Sequence, residues 1–124
     1  MTGDVGSAIV DFALVGGLVT VVFVAVLQLM IVLHVRNTLV DSAGEGARYG
    51  ALAGHQPADG AQRSRDLIAQ SLSPAYAQAV SAGRTTLDGL EVVEIEVEAP
   101  LPLVGLIGPA GTLTVRGHAL VEDP

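Results

Sequence analysis

The chain has 124 residues, of which 50% are hydrophobic, only 3% are aromatic and none is cysteine or tryptophan. Its 13 acidic residues outnumber six arginines, and the formal net charge is -7. This composition disfavours nucleic-acid binding, because phosphate contacts need clustered cations, and it excludes disulfides and cysteine metal sites. A short chain with so apolar a first third buries only a modest core elsewhere, so a roomy catalytic cleft is not expected.

The first predicted element is an apolar run from Phe12 to Val35 that contains no charged residue. It exceeds the roughly 20 residues that a helix needs to cross about 30 Å of hydrocarbon. A cleaved secretory signal is a weaker interpretation, because such signals have a basic start and an apolar core of only about 7 to 15 residues. We therefore expect a single-pass helix in the cell membrane at about 12–35, in contact with lipid.

A glycine, four variable residues, an acid and a phenylalanine precede this run, in the order Gly6-Ser7-Ala8-Ile9-Val10-Asp11-Phe12. The pattern resembles the prepilin cleavage motif, and the chain most resembles the TadE-like proteins of the tight-adherence (Tad/Flp) pilus. The resemblance implies a non-enzymatic minor pilin (pseudopilin) or assembly factor. The chain departs from the family pattern in having Asp where Glu is usual and no Lys or Arg in the leader.

The resemblance also implies that a prepilin peptidase cuts between Gly6 and Ser7, which makes residues 1–6 a leader. Asp11 would then follow the new amino group of Ser7 by four residues, and opposite charges attract strongly where both meet lipid. Other pilins or Tad pilus assembly proteins are the implied partners. From the residues alone, Asp11 could equally lie among lipid head groups at a helix N-terminus, where the macrodipole favours an anion.

The orientation has two indicators that disagree. The family resemblance implies a cytoplasmic N-terminus and an extracytoplasmic C-terminal domain. Arg36 and Arg48 both follow the apolar run, however, and the positive-inside rule alone favours the opposite orientation.

The helical pattern continues past the membrane to about Leu52 and stops at Gly54-His55-Gln56-Pro57, so we assign one helix to residues 7–54. Small residues recur on common faces of this extension, which suits close helix packing: Ala43, Gly46, Ala47, Gly50 and Ala51. Their partner is either this chain's own domain or another subunit, and an equal alternative is that they only reflect a GC-rich genome. Arg48 and Tyr49 also resemble the family's post-membrane helix.

Residues 55–124 are expected to form a small extracytoplasmic domain. An amphipathic helix is predicted from Pro57 or Ala58 to about Ser81, which Ser73-Pro74 can kink or split. The fold class is therefore α+β: a long N-terminal helix, a second amphipathic helix and a C-terminal antiparallel sheet of two to three strands.

Two strands of that sheet are visible in the pattern. Apolar residues alternate with glutamates from Val93 to Ala99, which predicts a half-buried strand whose acidic face protects a sheet edge. A second alternating strand runs from Thr112 to about Val121 and would pair antiparallel with the first. The long apolar connection between them is a candidate contact for another pilus component, through Leu103 and Ile107.

No catalytic or metal-binding pattern is found. The three histidines, His34, His55 and His118, fall in different predicted elements without ligand spacing, so we expect no metal, no cofactor, no small-molecule substrate and no enzymatic activity. Two functional alternatives stay open: a membrane-tethered extracytoplasmic binding module, and an accessory subunit of a membrane-bound enzyme, both unrelated to pili.

Overall fold

The computed structural model describes residues 2–102 and 111–122, and over these residues the chain forms two α-helices and one three-stranded sheet. Helix α1 spans Thr2–Ala51, and helix α2 spans Pro57–Ser71, followed by a 3-10 turn at Pro74–Ala77. The strands are β1 (Ala79–Leu87), β2 (Leu90–Pro100) and β3 (Thr112–Leu120). The sheet is antiparallel in the order β1-β2-β3, and the expected α+β class is confirmed.

Helix α1 is 50 residues long, which at 1.5 Å per residue gives about 75 Å. It begins at Thr2, ahead of the start expected at Ser7, and Asp4 lies in its first turn, where the macrodipole favours an anion. It ends at Ala51, close to the predicted end. Gly54 follows with φ 84°, a left-handed conformation that suits a helix end and that glycine adopts without strain.

Helix α2 begins at the predicted Pro57 and ends at Ser71, so the split at Ser73-Pro74 is confirmed, but the predicted helical continuation to about Ser81 is wrong. Pro74 explains the difference, because proline lacks the N–H that a helix interior requires and its ring clashes with the preceding turn. The chain turns there and then enters the sheet, where Val80 is buried as a strand residue.

Strand β1 was not predicted from the sequence. Of its nine residues only Val80 is buried, so its apolar alternation is too weak to predict a strand. The turn between β1 and β2 has a clear backbone signature, because Asp88 and Gly89 have φ values of 52° and 80°. Two successive positive φ values are typical of the type I′ turn, whose twist matches that of a β-hairpin.

Strands β2 and β3 confirm the predicted hairpin, with a register that runs from Pro100 opposite Thr112 to Val92 opposite Leu120. The predicted inner face of β2 is buried: Val93, Ile95, Val97 and Ala99. The edge-protecting role predicted for the acidic face of β2 is wrong. Strand β2 is the central strand and is hydrogen-bonded on both sides, so its glutamates guard no edge.

The hydrophobic core lies between one face of α1, helix α2 and the inner face of the sheet. Its buried apolar side chains come from all these elements: Val35, Leu39, Ala43, Ala47, Ala51, Ala61, Ile68, Val80, Val93, Ile95, Val97, Ala99 and Val115. The last turns of α1 are therefore an integral part of the domain's core.

Strand β3 runs parallel to α1. Gly117 lies directly against Ala43, since a β-carbon built at Gly117 would lie only 2.6 Å from the Ala43 carbonyl oxygen. Further along both elements, the backbone N–H of Glu122 donates to the Ala51 carbonyl oxygen at 2.8 Å. This second contact also satisfies a carbonyl at the C-terminus of α1, which has no partner within the helix.

Helix α2 runs antiparallel to α1. The buried hydroxyl of Ser64 donates to the Ser42 carbonyl oxygen at 2.9 Å. Gly60, one turn earlier on α2, lies against Gly50, two turns later on α1. The C-terminus of α2 therefore lies beside the part of α1 that is nearer to the apolar run.

Candidate functional site

The N-terminal part of α1 carries the candidate site, and it projects from the rest of the chain. From Gly3 to Leu27 every residue is exposed, and from Phe12 onward the side chains, apart from Thr20, are apolar around the whole circumference of the helix. The helix is long and apolar enough to cross a membrane, and only 6% of its most apolar stretch of 18 residues is buried within the protein. A helix that is apolar on all sides needs a nonaqueous environment, which residues 28–102 and 111–122 do not supply.

Two threonine hydroxyls of α1 donate to backbone carbonyls of the same helix. Thr20 donates to the Gly16 carbonyl oxygen at 2.8 Å, and Thr38 donates to the His34 carbonyl oxygen at 2.9 Å. These bonds between residues four apart let a hydroxyl enter lipid without an unpaired donor. The polar residue Thr20 is therefore compatible with a membrane-spanning helix.

The proposed processing position, between Gly6 and Ser7, lies in the exposed first turns of α1. Among the residues that the structure describes, no tertiary neighbour lies within 4 Å of a β-carbon built on Gly6, or of one built on Gly3. Each glycine weakens the helix by roughly 1 kcal/mol relative to alanine, and no contact with another described part of the chain compensates for that loss. These turns are thus accessible and easily unwound.

Asp11 and Phe12 follow on the same exposed surface. Phe12 is 82% exposed, and Asp11 is exposed beside it. Across residues 2–102 and 111–122, Asp11 has no hydrogen bond or ion pair with another side chain. A carboxylate at the edge of an apolar surface therefore remains available to a group outside this chain.

The small residues of α1 have a different position. Ala43, Ala47, Ala51, Gly46 and Gly50 are all buried beneath the chain's own domain. The sequence left open whether such a face packs within the chain or against another subunit. In the structure it packs within the chain, between α2 and the sheet.

Close approach explains why glycine occupies two of these positions. A β-carbon built on Gly46 would overlap the hydroxyl of Ser64 and lie 2.5 Å from the Gly60 carbonyl oxygen. One built on Gly50 would lie 3.2 Å from the Gln56 carbonyl oxygen and 3.3 Å from the Gly60 α-carbon. The two helices therefore touch backbone to backbone, as small residues at a helix crossing allow.

Sequence reasoning missed the partners of this face. Gly60 and Ser64 on α2 form the other side of the helix contact, and neither was recognised as a packing residue. A signal was present, since the two lie four residues apart on one helix face. Arg65, beside them, donates from its guanidinium to the Val80 carbonyl oxygen at 2.9 Å and so connects α2 to β1.

The outer face of the sheet carries two cross-strand pairs of polar side chains. Glu94 lies 2.8 Å from His118, and Glu96 lies 3.1 Å from Arg116, each pair directly opposite on β2 and β3. Within the described part of the chain, no three histidine or acidic side chains come together as metal ligands. The two predicted partner-contact residues, Leu103 and Ile107, lie outside the described residues.

Most of the exposed part of α1 lies within a segment that matches a known protein family. A family model described as TadE-like protein matches residues 6–48. The match begins at Gly6, contains Asp11 and Phe12, and extends through the apolar run into the buried part of α1. No curated protein and no solved structure was found to match.

Proposed function

We propose that the chain, whose residues 6–48 match the TadE-like family, is a Tad pilus-associated protein that acts as a non-enzymatic minor pilin or assembly factor. In this proposal the N-terminal half of α1 is the working part. A prepilin peptidase removes residues 1–6, and α1 then packs in the membrane against other pilins or Tad assembly proteins. The small α+β domain is held outside the cytoplasm.

The observation that carries the proposal is the exposure of the motif itself. The family match begins at Gly6, and in the structure the turns around Gly6 and Ser7 are exposed and make no tertiary contact with the other described residues. A peptidase requires a segment that can leave its helix and bind in an extended conformation. Glycines lower the cost of unwinding, so the helical state of these turns does not oppose processing.

Electrostatics supports a role for Asp11 after processing. Cleavage would place a new ammonium group on Ser7, four residues and about 6 Å of helix rise before Asp11. Residues four apart lie on one helix face, so the two charges can pair within one helix or between neighbouring helices. Such pairing lowers the cost of placing a carboxylate at the edge of lipid.

The mature N-terminus tests the processing step. The full chain is produced in a bacterium together with a Tad prepilin peptidase, extracted in detergent and analysed by intact-mass spectrometry. We expect a chain that begins at Ser7. Gly6→Val should block cleavage, whereas Gly3→Val, the matched change within the leader, should leave it intact. An uncleaved wild-type chain beside a correctly processed control pilin would contradict the proposal.

The role of Asp11 is tested separately, on chains that are already processed. Asp11→Asn removes the charge and keeps the shape, so we expect loss of co-purification with Tad pilus components and retention of membrane insertion. Asp11→Glu restores the carboxylate and should restore co-purification. If Asp11→Asn and the wild type co-purify equally well, the carboxylate has no part in assembly, and a tethered module that works without this pairing becomes the better explanation.

A further inference from the structure

One end of the domain is defined by the directions of its elements. Strand β3 runs parallel to α1 and begins at Thr112, five residues before Gly117 reaches the level of Ala43. Five strand residues rise about 16 Å, which corresponds to roughly ten residues of α-helix. Thr112 therefore lies near the level of residues 32–35 of α1.

The other elements converge on the same level. Pro100 pairs with Thr112, and Ala79 pairs with Glu98, so the end of β2 and the starts of β1 and β3 lie at the same end of the sheet. Helix α2 is antiparallel to α1 and continues for seven residues past Ser64, which itself contacts Ser42. Its C-terminus thus reaches the level of Val35.

The outermost part of this end carries no charge, because none of the 13 acidic and six basic residues falls within 67–79, 99–102 or 111–113. Glu98, which pairs with Ala79 and Thr114, is the first carboxylate inward from these tips, and the exposed Arg36 follows Val35 on α1. These ranges contribute the C-terminus of α2, the 3-10 turn and the adjoining ends of all three strands. We call this surface the charge-free end; its exposed or half-buried members include Pro74, Ala75, Tyr76, Gln78, Pro100 and Pro102.

The charge-free end coincides with the end of the apolar run of α1. A span of about 20 residues that begins at Phe12 ends near Ile31. Burial of α1 begins at the same height, because Gln28 and Val32 are half-buried and Val35 is 4% exposed, all on one face of the helix. The domain therefore begins where the membrane-spanning part of α1 ends. If the apolar run crosses a bilayer, the domain lies directly against the bilayer surface.

We propose that the charge-free end rests on the membrane and contacts lipid at the interface between head groups and acyl chains. The inference rests on the proposed membrane insertion of α1, but it holds for either orientation of the chain. A surface in that position must lack carboxylates, since burying an ionised group at the lipid boundary is costly. Tyr76 suits the position, because tyrosine favours the membrane interface, where its ring meets lipid and its hydroxyl meets water.

The charged surface lies farther from the membrane. Asp88 and Gly89 form the tip of the β1–β2 hairpin, at the opposite end of the sheet from Pro100. Arg84 and Glu91 approach each other at 3.9 Å close to that tip. The domain would therefore be fixed upright on the bilayer, with its charge-free end in lipid and its hairpin tip in water.

Site-directed spin labelling tests this arrangement, because the native chain contains no cysteine. Single cysteines are introduced at exposed positions of the charge-free end, Ala75→Cys and, in a second variant, Gln78→Cys. Thr86→Cys, exposed near the hairpin tip, is the matched control, and Leu18→Cys reports on the apolar run. Each full-length chain is labelled with a nitroxide and inserted into phosphatidylcholine vesicles that contain some phosphatidylglycerol.

Collision with oxygen, which concentrates in lipid, is compared with collision with a water-soluble nickel chelate. We expect the nickel collision rate at Ala75 and Gln78 to fall several-fold below that at Thr86, and their oxygen collision rate to rise. Equal rates at all three positions, with Leu18 shielded from nickel, would overturn this inference and leave the membrane span intact. Nickel access at Leu18 would overturn the span and, with it, the inference.

Discussion

The two halves of α1 are one continuous helix in two environments. From Gly3 to Leu27 the helix is exposed around its whole circumference, whereas from Val35 to Ala51 one face is buried in the core. The exposed half is rich in large side chains, and the buried face is rich in alanine and glycine. Lipid can surround large apolar side chains on every side of a helix. A second helix in backbone contact leaves room only for small side chains.

Glycine therefore has different structural roles in the two halves of α1. Nothing lies within 4 Å of a β-carbon built on Gly16 or Gly17, in the exposed half. Gly46 and Gly50, in the buried half, touch the backbone or side chains of α2. The same residue type is tolerated at the first pair and required at the second, and the predictions below test that difference.

The largest effect is expected from a leucine that is fully buried. Leu39→Ala should lower the free energy of unfolding of the domain by about 3 kcal/mol, through lost burial and the cavity left behind. Leu29→Ala, at a position 57% exposed on the same helix, should leave it nearly unchanged. Urea unfolding in detergent micelles, followed by circular dichroism, measures both. Equal losses would show that the two halves do not differ as described.

A pair of glycines two residues apart gives the next test. Gly46→Ala should destabilise the domain by about 2 kcal/mol, since the new methyl group meets the fixed backbone of Gly60. Gly44→Ala meets only the end of the Arg48 side chain, 4.0 Å away, and should stabilise the helix by up to about 1 kcal/mol. The midpoint of thermal unfolding should therefore move in opposite directions. A shift of the same sign in both variants would contradict the helix contact.

The buried hydrogen bond between α2 and α1 is worth less. Ser64→Ala removes the donor to the Ser42 carbonyl oxygen and should cost about 1 kcal/mol. Ser71→Ala, at an exposed position on the same helix, is the control and should change stability by less than about 0.5 kcal/mol. Urea titration of the two variants side by side checks the difference, and a null result at Ser64 would mean that packing alone holds the helices together.

The smallest effect is expected on the outer face of the sheet. Glu96→Gln breaks the pair with Arg116, in which both side chains are substantially exposed, and should cost less than about 0.5 kcal/mol. The loss should shrink further in high salt, because solvent-exposed charges are screened. Unfolding at two salt concentrations measures it. A loss above about 1 kcal/mol that salt does not reduce would assign this face a structural role that its exposure does not suggest.

Elements with strong local patterns could be predicted from the sequence. Strands β2 and β3 alternate apolar and polar residues strictly enough to give both their faces and their pairing. The apolar run from Phe12 to Val35, the end of α1 before Gly54 and the motif from Gly6 to Phe12 were likewise visible. In each case the signal lies in a few neighbouring residues, and the physical cause is equally local.

Features that depend on distant contacts could not be predicted in the same way. Strand β1 forms because β2 offers it a pairing edge, although its own sequence buries only Val80. The sequence showed that Ala43, Gly46 and their neighbours suit close packing, but not that the partner is α2 of the same chain. The level at which the domain meets α1 was equally hidden, since it depends on how far each packed element extends.

The sequence by itself determined that the chain has an apolar helix long enough to cross a membrane, with the motif from Gly6 to Phe12 at its start. It also determined a hairpin of two strands in which apolar and polar residues alternate. Tertiary structure alone decided which half of α1 belongs to the core, and that the uncharged stretches meet at one end. Periodicity is a property of neighbouring residues, so it can be read directly from the sequence. Juxtaposition is set by packing between residues far apart in the chain, and close contacts such as Gly117 against Ala43 fix it only in the folded molecule.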